Sequence, residues 1–323
     1  MIEQEFTFVR ELLSKRSGLS LSVDKRYLVE SRLGSVCRQF GLAKISDLIQ
    51  MARAGDEAMT VTIVEAMTTN ETLFFRDATP FKNLREIILP ALLAARASER
   101  TLRIWCAAAS SGQEPYSVAM TLDEMTAQLA GWRVEIMATD ISNEILEKAR
   151  VGVYSQFEVQ RGLPVQLLLK YFTQEGDRWR ISERIRRMVT FRQHNLVGQG
   201  PGPGTFDIIL CRNILIYLDM GTKAQVFNLL ARSIRSDGYL ILGAAETIMG
   251  LTEAFSPDRE HRSMYRTAAF QAAQPVAQPV RTPTMSAFSA GAFDRIAQPL
   301  SRPTPAAAGG LVLPPRVPVR SGH

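Results

Sequence analysis

In the first part of the chain, apolar positions recur at helical spacing. Ile2, Phe6, Val9 and Leu13 share one face of a helix that Gly18 can stop. A second helix is predicted from near Asp24, with Leu28, Leu33, Val36, Cys37 and Phe40 on its apolar side. Two short helices follow, over roughly 45–54 and 57–67, and no strand pattern precedes Thr68. From about residue 100 the period changes. LRIWCAA (102–108), WRVEIMATD (132–140), MVTFRQHNL (188–196), FDIILC (206–211) and GYLILGAAE (238–246) read as buried strands. Helical segments lie between them: 113–130, with Val118, Leu122, Met125 and Leu129 on one face, 142–150 with Ser142 as its N-cap, and 219–235. Buried strands alternating with helices imply a mainly parallel, doubly wound α/β sheet.

One segment interrupts the alternation. In residues 173–190, Trp179, Ile181 and Ile185 alternate with Arg178, Arg180, Arg184, Arg186 and Arg187, and EGD at 175–177 can turn. This predicts a small antiparallel β-subdomain inserted in the α/β unit. The resulting divisions are an all-helical N-terminal domain over 1–70, a linker with a linking helix over 71–99, the α/β domain over 100–268 and a tail over 269–323. Nine of the 16 prolines fall in 267–323, among Ala, Gln, Ser and Thr. Such a segment buries too little apolar surface to offset its ordering entropy, which predicts a disordered tail.

Charge adds a restriction. The net charge of +6 is uneven: five arginines and one aspartate in 267–323 leave only +2 on the body, so no nucleic-acid partner is expected. No apolar run approaches the ~20 residues that span a bilayer, and the N-terminus lacks the pattern of a signal peptide. A cytoplasmic enzyme without membrane insertion is the expectation. Cys37, Cys106 and Cys211 form no CxxC pair and sit in apolar stretches, as small buried hydrophobes do. The three histidines are scattered, so no metal site is expected.

In open parallel sheets ligands bind beyond the carboxyl ends of the strands. After the first strand stand Ala107, Ala108, Ala109, Ser110, Ser111 and Gly112, small residues that allow close backbone approach but supply neither a dinucleotide glycine fingerprint nor GKS or GKT. Glu114 follows in the first helical turn. It either meets the helix dipole or attracts a cationic ligand, such as a sulfonium. Asp140 ends the second strand, where a carboxylate can accept both ribose hydroxyls; Ser142 already suits the cap. Arg212 and Asn213 interrupt an apolar run after FDIILC, which is costly unless they are paired or face a ligand. Tyr217 lies four residues beyond Asn213 and shares its face if that stretch is helical.

TTNETLFFRD (68–77), AAASSGQEPYS (107–117), ATDIS (138–142), HNL (194–196) and CRNILIYLD (211–219), in this order, resemble the chemotaxis receptor glutamate methyltransferases, the CheR family. The resemblance runs from about residue 2 to about 268. It implies an all-helical N-terminal domain and a Rossmann-like S-adenosylmethionine-dependent methyltransferase domain carrying the β-subdomain. By resemblance, Asn70, Thr72, Arg76, Glu114, Asp140, Asn195, Leu196, Arg212 and Asn213 contact S-adenosylmethionine, and Arg76 and Tyr217 stand nearest the transferred methyl. The implied reaction esterifies receptor glutamates and leaves S-adenosylhomocysteine. It needs no catalytic base, because a glutamate with a reference pKa of about 4.3 is already ionised at neutral pH. The implied partner is the cytoplasmic helical domain of a chemotaxis receptor, met by Lys25, Arg26, Arg32 and Arg38 on the second helix, with the enzyme a monomer. Some family members grip a receptor C-terminal peptide with the β-subdomain. The hairpin between Phe172 and Met188 looks several residues shorter here, so no dependence on that tether is expected. The competing readings are a methyltransferase acting on RNA or a small molecule, with the arginines around Trp179 as its surface, and a cofactor-binding signalling scaffold.

Overall fold

The computed structural model describes residues 1–198 and 204–273. Four helices come first: α1 (Glu3–Ser17), α2 (Arg26–Phe40), α3 (Ile45–Arg53) and α4 (Glu57–Met67). They enclose a core of Phe6, Val9, Leu13, Val29, Leu33, Leu48 and Ile63. Gly18 ends α1 in the left-handed region, at φ 69°, and the Asp56 side chain caps α4 by accepting from the Met59 N–H. On α2 the inner face is Val29, Leu33, Val36 and Cys37; Leu28 is half-buried, and Phe40, expected on the apolar side, is exposed. Beyond Gly41 the chain folds back, the Leu42 N–H donates to the Cys37 carbonyl, and Leu42 takes the place against the core.

The linking segment contains α5 (Thr79–Asn83) and α6 (Leu89–Ala95), joined by a π-helical turn at Leu84–Ile88. The α/β part follows as β1 (Thr101–Ala107), α7 (Gln113–Asp123), β2 (Arg133–Asp140), α8 (Asn143–Val151), β3 (Val153–Ser155), α9 (Gln156–Gln160), α10 (Val165–Tyr171), β4 (Phe172–Glu175) and β5 (Arg178–Ile181). Then come α11 (Glu183–Arg186), β6 (Val189–Gln193), β7 (Phe206–Cys211), α12 (Met220–Ser233), β8 (Ile234–Leu242), β9 (Phe255–Pro257), β10 (Met264–Thr267) and α13 (Ala268–Ala273).

The seven-stranded sheet has the order β6-β2-β1-β7-β8-β10-β9, parallel from β6 to β8 and antiparallel at β10 and β9. Both faces are covered, as a parallel sheet requires. Along β1, Ile104 and Cys106 enter one core and Trp105 and Ala107 the other; along β7, Ile208 and Leu210 oppose Ile209 and Cys211. All three cysteines are buried and free. Among the described residues, no helix is long and apolar enough to cross a membrane.

Two expectations need adjustment. The small antiparallel sheet has three strands in the order β3-β5-β4, and its first strand comes from residues 153–155, upstream of the expected insert. Ile185 lies in the short helix α11 rather than in a strand, and Gly176 and Asp177 alone join β4 to β5. At the other end the ordered chain continues past 268, because Phe270 of α13 stacks on the Arg266 guanidinium, 3.9 Å from ring centroid to Cζ. The rest of the expected disordered tail, 274–323, lies outside the described residues.

A buried ionic network was not legible in advance. Arg96 follows α6, and its Nε donates to Asp207 at 2.9 Å while Nη1 and Nη2 donate to Asp237 at 2.7 and 2.5 Å. Asp207 also accepts from the Arg103 N–H at 2.8 Å, so α6 is pinned to β1, β7 and β8.

Candidate active site

Strand order reverses between β1 and β7: from β1 the chain moves outward through β2 to β6, then crosses back to β7 and β8. The carboxyl ends of these strands and the linker before α5 border a cleft of about 990 Å³, part of it open to solvent.

After β1 the turn is strained. Ala108 and Ser110 have φ of 61° and 51°, a left-handed conformation costly for residues with a Cβ. Gly112, at φ 93°, is required, since a Cβ there would stand 3.0 Å from Ala149 Cβ and 3.1 Å from the Tyr116 ring. The turn is held at both ends. The Ser110 N–H donates to Asp140 Oδ2 at 2.8 Å, and Ser110 Oγ donates to the Asn70 carbonyl at 2.9 Å, which ties the linker to the sheet. Asp140 also accepts from the Ser142 N–H at 3.1 Å. Burial raises the Asp140 pKa, and the amide donors oppose that rise.

Glu114 stands in the first turn of α7 and accepts from Arg212 Nη1 at 2.8 Å. Burial raises its pKa and the Arg212 charge lowers it, burial being the larger effect. Arg212 is almost wholly buried and also donates to Asp77 Oδ2 at 2.8 Å and to the Arg76 carbonyl at 2.7 Å. It lines the cleft, and both of its terminal nitrogens are engaged by the protein. The side chain thus brackets Glu114 and the 76–77 turn, while its Nε is buried without a partner among the described residues. Asn213 follows at φ 59°. Its N–H, with those of Leu215 and Gly243, donates to the buried Glu246 carboxylate at 2.7–2.8 Å. In the sequence Glu246 reads only as the end of a strand, an acid closing an apolar run. Tyr217 ends a single 3₁₀ turn, Leu215–Tyr217, so it and Asn213 do not share an α-helical face, although both line the cleft.

Beyond β6, Asn195 uses its side chain locally: Nδ2 donates to the Arg16 carbonyl at 2.6 Å and Oδ1 accepts from the Val197 N–H at 3.0 Å. Leu196 is half-buried beside it. His194, read from sequence as a strand-end residue, lines the cleft, packs edge-on against Trp105 and buries Nε2 without a partner among the described residues. In the linker, Phe74 is fully buried against Tyr154 and Phe172, which sets Asn70, Thr72 and Arg76 on the cleft wall. Among the described residues Arg76 makes one hydrogen bond, from Nη1 to the Glu71 carbonyl at 3.2 Å. The helical domain closes the remaining side. Ser17 and Leu19 line the cleft, Leu19 bridges Leu218, and the Ser20 N–H donates to the Tyr217 carbonyl at 2.9 Å. Every residue expected at the cofactor or the methyl thus borders one cleft. Among the described residues, no group of His, Cys, Asp and Glu is arranged to hold a metal ion.

Comparison with known proteins bears on this cleft. Residues 4–68 match the all-alpha domain of CheR methyltransferases and residues 70–263 match the CheR methyltransferase SAM-binding domain. The chain belongs to the CheR methyltransferase family. It is 42% identical over 257 residues to a chemotaxis protein methyltransferase of Vibrio parahaemolyticus, covering 78% of this chain and 92% of the relative. It is 39% identical over 255 residues to chemotaxis protein methyltransferase 1 of Pseudomonas aeruginosa (78% and 93%). With the chemotaxis protein methyltransferase of Salmonella typhimurium it shares 34% over 259 residues (79% and 87%). The two CheR segments meet at the linker, and the cleft takes walls from both.

The four basic residues expected to dock a receptor are not equivalent. Lys25 and Arg38 are exposed. Arg26 pairs with Glu3 and lies over the Phe6 ring. Arg32 turns inward, with Nη1 donating to the Thr68 carbonyl at 2.6 Å and to the Ala66 carbonyl at 3.4 Å.

Proposed function

We propose that this CheR-family chain transfers the methyl group of S-adenosylmethionine to glutamate carboxylates in the cytoplasmic helical domain of chemotaxis receptors, forming methyl esters. One observation carries this reading: Arg76 and Tyr217 border the same cleft as Glu114 and Asp140. A carboxylate-seeking side chain and two anionic groups suited to a cationic nucleoside ligand therefore lie together. The lining fits S-adenosylmethionine. Each oxygen of Asp140 accepts one amide N–H and keeps capacity for a hydroxyl. Glu114 offers negative charge near a sulfonium or ammonium, and the small side chains of Ala108 and Ser110 leave the backbone approachable.

When bound, S-adenosylmethionine supplies an electrophilic methyl open to in-line attack by a carboxylate oxygen. The chain's own residues orient and exclude water. Arg76 steers the incoming carboxylate. Among the described residues no carboxylate holds it, and a loose contact with the substrate avoids the tight bidentate clamp that would blunt a nucleophile. Tyr217 positions the reacting groups from the 3₁₀ turn, backed by its carbonyl's bond to Ser20. Lys25, which precedes α2, and Arg38 on α2 meet the acidic receptor surface, with Arg26 at their edge. The two-residue β4–β5 turn favours independence from a receptor C-terminal peptide.

The test is transfer of labelled methyl from S-adenosylmethionine to receptor-rich membranes. Label on the receptor, released by base as methanol, is the expected result. Cofactor binding without base-labile label would reject glutamate ester formation.

A further inference from the structure

A second cavity lies between α6, β8, β10 and α13, near the start of β8 and so at the opposite end of the sheet from the cleft. Arg266 lines it and is only 7% exposed. Its guanidinium carbon is 3.7 Å from the Tyr239 ring centroid and 3.9 Å from that of Phe270, so aromatic rings cover it from two sides. Among the described residues Arg266 forms no salt bridge, Asp237 and Asp258 act on it only through space, and its Nε is buried without a partner. Arg96, equally buried nearby, engages two aspartates. The acids beside Arg266 are turned elsewhere. Asp237 is held by Arg96, and Asp258 Oδ1 accepts from the Glu260 and His261 N–H groups and sits 2.8 Å from His261 Nδ1. A second group in the cavity is also unmatched: Gln271 donates through Nε2 to the Pro257 carbonyl at 3.3 Å, while its Oε1 is buried with no donor.

Asp237 and Asp258 offset the Arg266 charge at a distance, but a buried guanidinium N–H without an acceptor is unfavourable until something pairs with it. With its faces covered by rings, the guanidinium can donate only through its edge. A planar carboxylate matches that edge, accepting two parallel N–H bonds. The neighbouring Asp237 and Asp258 carboxylates disfavour a doubly charged phosphate and favour a ligand that also carries positive charge. Gln271 Oε1 requires a hydrogen-bond donor. Ala91 and Ala95 of α6 leave room for a short side chain. We propose that this cavity binds a small α-amino acid, its carboxylate on Arg266 and its ammonium on Gln271 Oε1 beside Asp258.

Isothermal titration of the full-length chain with L-alanine and L-serine tests this directly, with acetate and methylamine as probes of each half of the zwitterion. Saturable binding of an amino acid is expected, with acetate and methylamine at least ~10-fold weaker, the loss that follows when a charged hydrogen-bonded partner is missing. Arg266→Gln should remove the binding. Gln271→Leu, on a peripheral six-residue helix, should weaken it several-fold without moving the unfolding midpoint, so the test survives if Arg266→Gln does not fold. Absence of saturable amino-acid binding overturns the proposal. So does acetate binding as tightly as alanine, or binding that Gln271→Leu leaves unchanged.

Discussion

Arg76 and Tyr217 differ from the other cleft residues in how little the protein asks of them. Among the described residues Arg76 makes one side-chain hydrogen bond, and Tyr217 contributes to the fold through its carbonyl. Arg76→Ala should therefore lower kcat on the order of 10²-fold, the loss typical of misplaced reacting groups, while the unfolding midpoint barely moves. Tyr217→Phe should likewise lower kcat with little effect on stability. Retained turnover in both variants would remove them from the catalytic assignment. Asp140 and Glu114 behave differently, because burial raises both carboxyl groups above their ordinary range near 4. The folded protein then holds these protons more tightly than the unfolded chain, so their contribution to stability falls as pH rises through the raised pKa values. Ligand binding has the opposite sign, since a cationic or hydroxyl-donating ligand needs them ionised. S-adenosylmethionine affinity, measured by titration across pH, should weaken on acidification beginning above the ordinary carboxylate range. Asp140→Asn should flatten part of that profile; an unaltered profile would exclude Asp140 from it.

At the scale of elements, two contacts set how the helical domain meets the cleft. Gly18 needs its left-handed φ, and a Cβ there would stand 2.3 Å from Thr222 Cγ2. Gly18→Ala should cost about 1–3 kcal/mol through overpacking and strain, read as a lower midpoint in denaturant unfolding. Arg32 separates two roles assigned to α2. Because its guanidinium holds the 66–68 carbonyls, Arg32→Gln should weaken cofactor binding through the linker. Lys25→Gln and Arg38→Gln should instead slow receptor methylation at low salt and leave cofactor affinity intact. Equal effects from all three would return Arg32 to the docking surface. Elements with strong periodicity were legible in the sequence: α1, the start of α2, and the buried strands β1, β2, β6, β7 and β8. Cleft residues were legible where they break a pattern, as Asp140 does at a strand end and Arg212 inside an apolar run. What escaped depends on distant partners. Three residues at 153–155 carry no strand signal of their own and become β3 only by pairing with β5. Nothing local distinguishes Arg32 from a solvated arginine, or Glu246 from an exposed strand-end acid; only the carbonyls and amides brought to them by folding do so.

For the molecule as a whole, the ionic network around Arg96 is the most consequential polar feature of the interior. Asp207 is almost completely buried, and Arg96 is its closest cationic partner. Arg96→Leu should destabilise the chain by up to about 3–5 kcal/mol, the cost of breaking a buried ion pair, eased by Arg235 Nε, which stays 3.4 Å from Asp207. The same network gives an acid signature. Arg96 holds the Asp237 carboxyl below its ordinary pKa. That stability is present above the unfolded value of about 3.9 and is lost as pH falls through the folded value. Unfolding midpoints measured from neutral pH downward should converge for wild type and Arg96→Leu at the acid end; a constant gap would show that packing, not charge, is what the substitution removes.

The cleft wall is shared between the two halves of the chain. Leu19 is bridged to Leu218, Ser20 is bonded to Tyr217, Arg16 holds Asn195, and Asn70 is stitched to Ser110. For evolution this is a constraint on recombination. A crossover at the linker that exchanged one half for that of a distant homologue would bring together a turn and a landing surface with separate histories. Gly18 and Thr222 would have to be inherited as a pair although more than two hundred residues separate them.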